Sequence, residues 1–307
     1  MRPVFRLAFG VALAWCLGFG SAMAAPPLVV VSIKPIHSLA ASLLEGIAEP
    51  LLLVDGAQSP HSFAMRPSSS RALNNADVVV WIGPELEGFL AKSVSVLPDQ
   101  VRVVSLLHDT PGLERLHLDE DDHDAAHDHH NHGAAGEEDL DPHIWLSPAN
   151  ARAIAAHLAD VFSAFGNADR LSANAEALDR QLAELDRTIA QQLAAVSERP
   201  FVVLHPAYNY WVKAYGLQQA GVISPNPEQG ASASHIADLR QSIAKQSAFC
   251  IFAEPQFGNR KVQALAQQLN LRAGILDPLG ADIAAGPKAY LAILGAMAAA
   301  LSDCLAQ

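Results

Sequence analysis

Between Leu171 and Val196 an apolar residue returns every three or four positions: Leu171, Ala175, Leu178, Leu182, Leu185, Ile189, Leu193 and Val196. That spacing collects them on one face of a helix. The element, residues 166–199, begins at Gly166 and ends before Pro200, and its striped part from Leu171 to Val196 spans roughly 40 Å at about 1.5 Å per residue. A helix so long, apolar on one side only, must lie across something large or pair with a copy of itself. With apolar segments on both sides of it in the chain, packing within the chain is favoured over a coiled-coil dimer. A monomer is therefore expected.

The same rhythm of elements stands on either side of this helix. Before it, strands are expected at Leu28–Ser32, Leu51–Val54, Val78–Ile82 and Val101–Ser105, separated by helices at Pro35–Leu44, Arg66–Asn75 and Pro84–Val94. After it, strands are expected at Phe201–Leu204, Ala220–Ile223, Phe249–Phe252 and Ala273–Leu276, and a last helix from about Pro287 to Cys304. Strands alternating with helices imply right-handed crossovers and parallel sheets. The fold class is α/β: two Rossmann-like βα lobes with parallel-rich sheets, joined by the long rigid helix. The organisation reads as a signal peptide at 1–24, an N-terminal lobe at 25–165, the linking helix at 166–199 and a C-terminal lobe at 200–307. At the joint, Ser147 followed by Pro148 marks a helix start.

Arg2 and Arg6, the apolar run Leu7–Phe19 and the small residues Ala22-Met23-Ala24 have the form of a cleavable export signal. The run is shorter than the roughly 20 residues a membrane span requires. Cys16 follows Leu13-Ala14-Trp15, and the bulky Trp argues against a lipid-anchored cysteine. After cleavage the chain is expected in the periplasm, with no direct membrane insertion. Cys250 and Cys304 remain there, and in an oxidising compartment a Cys250–Cys304 disulfide is expected. The formal charge is −12, and −14 once Arg2 and Arg6 are removed. Such acidity argues against nucleic acid as a partner and suits a cation.

In open α/β sheets ligands sit beyond the carboxyl ends of the strands. There stand His61, after the second strand, and His205, after Phe-Val-Val-Leu. Glu254 follows Cys-Ile-Phe-Ala, Asp277 follows Ala-Gly-Ile-Leu, and His143 lies between the lobes. Five metal-type side chains thus converge on one cleft. His37, His108, His157 and His235 show no such convergence, although His37 lies near a helix start.

The segments around these residues are Gly-Ala-Gln-Ser-Pro-His61, Asp141-Pro-His143-Ile-Trp-Leu-Ser-Pro, Leu204-His205-Pro-Ala-Tyr, Phe252-Ala-Glu254-Pro-Gln-Phe and Leu276-Asp277-Pro-Leu-Gly280. In this order, along the whole mature chain, they resemble the ZnuA family of zinc-uptake ABC-transporter substrate-binding proteins. The resemblance implies metal held in the interlobe cleft by His61, His143 and His205, with an ABC importer permease as partner. Three imidazoles suit Zn²⁺ better than Mn²⁺, which prefers more oxygen. The fourth position is open between Asp277, a water and a group from the acidic tract, with Asp277 the expectation. Some zinc members of the family place a glutamate before the first histidine, where this chain has Pro60. Glu254 is expected to orient a ligand from the cleft wall.

The tract from Leu116 to Asp139 holds His117, His123, His127, His129, His130 and His132 among aspartates. Its composition cannot build a core and predicts a mobile loop, with weak zinc capture near the cleft as its added role. No catalytic residue is assigned. The alternative to zinc delivery is a zinc-dependent hydrolase using the three-histidine site with Glu254 as base, but no His-Glu-x-x-His helix is present.

Overall fold

The computed structural model describes residues 26–118, 140–226 and 228–306. The export signal at 1–24 and the imidazoles of His123, His127, His129, His130 and His132 lie outside the described residues.

The first lobe runs β1 (Val29–Ile33), α1 (Lys34–Leu43), β2 (Leu51–Val54), α2 (Pro67–Asn75), β3 (Val78–Trp81), α3 (Gly88–Val94), β4 (Arg102–Ser105) and a single turn α4 (Leu106–Asp109). Two helices follow, α5 (Pro148–Ser163) and α6 (Ala168–Ala194). The second lobe runs β5 (Phe201–Val203), α7 (Asn209–Tyr215), β6 (Gln219–Val222), α8 (Ala233–Gln246), β7 (Cys250–Ala253), α9 (Arg260–Leu269), β8 (Arg272–Ile275) and α10 (Ala289–Leu305). Each lobe is a four-stranded parallel sheet, ordered β2-β1-β3-β4 in one and β6-β5-β7-β8 in the other. The second order repeats the first, so the recurring rhythm of the sequence is a repeat of topology.

Alternation along each strand sorts its side chains between two cores. Val29, Val31 and Ile33 of β1, with Val78 and Val80 of β3, face inward, and so do Phe201 and Val203 of β5. All of them enter one core that also takes in the buried faces of α1, α5, α6 and α10. The intervening Val30, Val79 and Trp81 pack under the outer helices of the first lobe. Val202, Ile251 and Ala253 do the same in the second. The stripe on α6 is buried in the shared core through Leu171, Leu178, Leu182, Ile189 and Leu193. Its apolar face is spent within the chain, as the sequence implies.

Helix α5 starts where Ser147 and Pro148 place it, the Ser147 hydroxyl accepting from the Asn150 N–H. The helix expected from Pro84 begins later, at Gly88. Residues 83–87 instead form a turn, because the buried Glu87 carboxylate folds back to accept from the Ile82 and Gly83 N–H groups. Burial pushes that carboxyl up to about 7. Cys250 at the head of β7 and Cys304 near the end of α10 form a disulfide that pins the last helix to the second sheet.

Hydrogen bonds between the lobes cluster around the segment after His143 and the start of α1. The buried Lys34 ammonium donates to the carbonyls of Gly280 at 2.6 Å and Ile283 at 2.7 Å. The Trp145 indole N–H donates to the Pro278 carbonyl at 3.0 Å, and the Tyr290 hydroxyl to the Trp145 carbonyl at 2.7 Å. Together they tie α1 and the segment after His143 to the loop after β8 and to α10.

Candidate metal centre

Two strand ends and one crossover deliver the site. His61 closes the loop after β2, and His205 lies two residues beyond β5. His143 opens the short helical turn Ile144–Leu146 that leads into α5. One ligand atom from each of the three imidazoles lies within 4.8 Å of the others, and among the described residues these are the only such group. Ring centroids are 5.2 Å apart for His143 and His205, 5.6 Å for His61 and His143, and 6.0 Å for His61 and His205. His143 and His205 are buried, and His61 is the exposed member.

Two carboxylates fix which nitrogens face the centre. Asp141 Oδ1 lies 2.8 Å from His143 Nδ1, and Glu254 Oε1 lies 2.7 Å from His205 Nδ1. A carboxylate accepts, so each Nδ1 carries the proton and each Nε2 lone pair is left free. Those two Nε2 atoms face each other at 3.3 Å. Two nitrogens each about 2.05 Å from one tetrahedral zinc would stand about 3.3 Å apart. Facing lone pairs at this distance repel, and a cation between them turns the contact attractive. The cavity that the three rings line together with Trp145, Glu254 and Gln256 is about 10 Å³, room for roughly one water-sized sphere. This is the scale of an ion.

Glu254 Oε1 meets the His205 ring at Nδ1. Asp141 performs the same service for His143, and it also accepts from the His143 backbone N–H at 3.0 Å. Sequence reasoning missed this role, although the signal was present: an aspartate two residues before a histidine at a helix start. Asp277, the expected fourth ligand, is not brought into the cluster. Its Oδ1 accepts from the Leu279 and Gly280 N–H groups and from Gln256 Nε2, and its Oδ2 accepts from the Ala281 N–H. Four donors saturate the carboxylate and turn the chain after β8. Position at a strand end cannot distinguish a carboxylate that ligates from one that caps a turn. His37 meets the Pro50 carbonyl, His108 pairs with Glu85, and His235 meets the Val222 carbonyl. None of the three joins the cluster.

His117 pairs with Leu140 across an antiparallel bridge, so the two ends of the acidic tract meet. Leu118, Leu140 and Pro142 line a recess of about 320 Å³ that also exposes edges of His61, His143 and His205. The tract thus departs from the mouth of the site.

The outer edge of His61 is exposed. Desolvation by the surrounding protein, then repulsion from His143 and His205, nonetheless pushes its imidazole down to about 3. Unfolded, the same ring takes up a proton near pH 6.5. Between about pH 6.5 and 3 the unfolded chain therefore binds more protons at this residue than the folded chain. Metal-free stability should fall as pH drops through that window and be indifferent to this group above it. His61→Ala removes the effect, so the thermal midpoint of the metal-free variant should drop less than that of the wild type between about pH 7 and 4. Parallel curves for the two proteins would contradict the assignment.

Residues 29–304 match the family profile described as zinc-uptake complex component A periplasmic, ZnuA. The high-affinity zinc uptake system protein ZnuA of Brucella suis biovar 1 (strain 1330) is 34% identical over 312 residues, covering 91% of this chain and 92% of that protein. A crystal structure of ZnuA superposes with a TM-score of 0.76 at 23% identity, covering 91% of this chain and 99% of that one. The periplasmic zinc binding protein TroA from Treponema pallidum superposes with a TM-score of 0.77 at 22% identity, covering 92% of this chain and all of that one, 100%.

Proposed function

The chain belongs to the ZnuA family of periplasmic zinc-uptake components, and we propose that it captures Zn²⁺ with His61, His143 and His205 and delivers it to an ABC importer permease. Family members of this kind bind and hand over a solute, and the hydrolase reading falls with that membership. One observation supports the ligand assignment above the others. Two buried imidazoles, each held in one tautomer by its own carboxylate, aim their free nitrogens at a common point 3.3 Å across.

In this reading the ion sits where an N-terminal lobe (25–165) and a C-terminal lobe (200–307) meet, with 166–199 as the brace between them. The exported chain acts as a monomer in the periplasm and does not enter the membrane. With Asp277 engaged elsewhere, a water on the exposed side of His61 completes the coordination. The imidazoles of the acidic tract gather zinc more weakly at the mouth, which is supported by the two ends of the tract lining the recess above the site.

Three neutral nitrogen ligands discriminate against oxygen-seeking cations. Titration with each metal in competition with a chelator should give a zinc dissociation constant of about 1 nM or below, equivalent to about −12 kcal/mol. Manganese should bind at least ~100-fold more weakly. Equal affinity for the two would overturn the reading.

A further inference from the structure

His143 has Asp141 behind it and His205 has Glu254. The His61 ring has no comparable partner among the described residues. Its orientation depends on where the loop after β2 is held, and that loop belongs to the opposite lobe from His205.

Two side chains of the second lobe hold the loop: Glu228 accepts from the Ser62 hydroxyl at 2.7 Å on the exposed side, and Gln256 grips it from within. The Gln256 Nε2 donates to the Gly56 carbonyl at 2.5 Å and to Asp277 Oδ1 at 2.9 Å. Both partners can only accept, which sets the amide with its nitrogen toward them. The Gln256 Oε1 is buried without a hydrogen-bond partner, and the residue lines the small cavity enclosed by the three histidines. Gln256 also shares a tight turn, Pro255–Phe257, with the Glu254 that orients His205. Gly56 allows the grip, since a Cβ there would come within 2.3 Å of the Leu279 carbonyl oxygen.

We propose that Gln256 is a positioning residue for zinc: across the cleft it stands in for the carboxylate that His61 lacks, and so sets how fast the ion is released. This rests on the ligand assignment proposed above. Zinc cannot leave easily while His61 is held over it, and His61 cannot swing away while Gly56 is fastened to the second lobe. A family of contacts around one turn then serves two ligands, Glu254 directly for His205 and Gln256 through the backbone for His61.

The test is zinc release into excess chromogenic chelator, in a double-mutant cycle with His61. Gln256→Ala should speed release about tenfold, the lower end of what losing an outer partner of a metal ligand costs. Gln256→Glu should do at least as much, because a carboxylate cannot donate to Gly56 and faces Asp277. Gly56→Ala, which presses the loop away from Leu279, should produce the same acceleration with Gln256 intact. In a His61→Ala background, Gln256→Ala should change release by less than about twofold. A structural role alone would speed release equally in both backgrounds, and that result overturns the proposal. So does unchanged release in Gln256→Ala when His61→Ala weakens binding as expected. If His61→Ala itself binds zinc as tightly as the wild type, the ligand assignment fails first.

Discussion

His205→Ala is expected to weaken zinc binding by about a hundredfold or more while leaving the metal-free fold intact. The apparent binding free energy of a structural zinc site is about 10–16 kcal/mol shared among four ligands, so one nitrogen is worth roughly 3 kcal/mol. At this position the loss exceeds that of a bare ligand. His205 is the only ring in the cluster supplied by the second lobe, so its removal leaves the ion on one side of the cleft. It also leaves the Glu254 carboxylate buried without its imidazole partner. Chelator competition on the purified variant measures the loss, and thermal unfolding of the metal-free protein checks the fold. An affinity within threefold or so of the wild type would remove His205 from the site.

The second large effect belongs to the two carboxylates that touch no metal. Outer partners of metal ligands are worth about 10–100-fold in affinity. Glu254→Gln should fall near the low end, because a carboxamide oxygen still accepts from Nδ1–H but brings no charge to raise the basicity of the ring. Glu254→Ala should fall near the high end, since His205 then chooses its tautomer freely. Asp141→Asn should cost more than Glu254→Gln. Asp141 Oδ1 holds both the backbone N–H and Nδ1 of His143, and an asparagine placed the wrong way round would oppose a donor with a donor. Zinc affinities of the three variants, measured together, give the order. Equal affinity for the wild type and Glu254→Ala would show that the tautomer argument is wrong.

Much of this architecture can be read from the residues because local periodicity and long-range packing agree. The stripe from Leu171 to Val196 has one face to bury, and the shared core is where it goes. Each βα unit announces itself by a short apolar run followed by a helical pattern, and the rule that ligands gather at strand ends points to His61 and His205, two of the three rings of the cluster. What escapes is which hydrogen bonds a polar side chain makes, near or far along the chain. Asp277 stands at a strand end as a ligand would, but four donors from its own turn and from Gln256 claim it. Gln256 looks unremarkable in sequence, since its role exists only once a carbonyl from the other lobe comes within 3 Å of it, whereas Asp141 stands two residues before His143 and its pairing was there to be read. The start of α3 fails for a similar reason: the buried Glu87 answers to the backbone just after β3 and not to the helix that its neighbours favour.

The most direct test of the central claim is zinc binding at equilibrium, by calorimetry with a competing chelator, in two altered chains. In the first, residues 119–139 are deleted, which is clean because His117 and Leu140 already pair at the ends of that segment. In the second, His61, His143 and His205 are all alanine and the acidic tract is intact. The account predicts one tight zinc per molecule in the first chain and only weak binding in the second. A tight site that vanishes with the tract, or survives the loss of all three histidines, would contradict it.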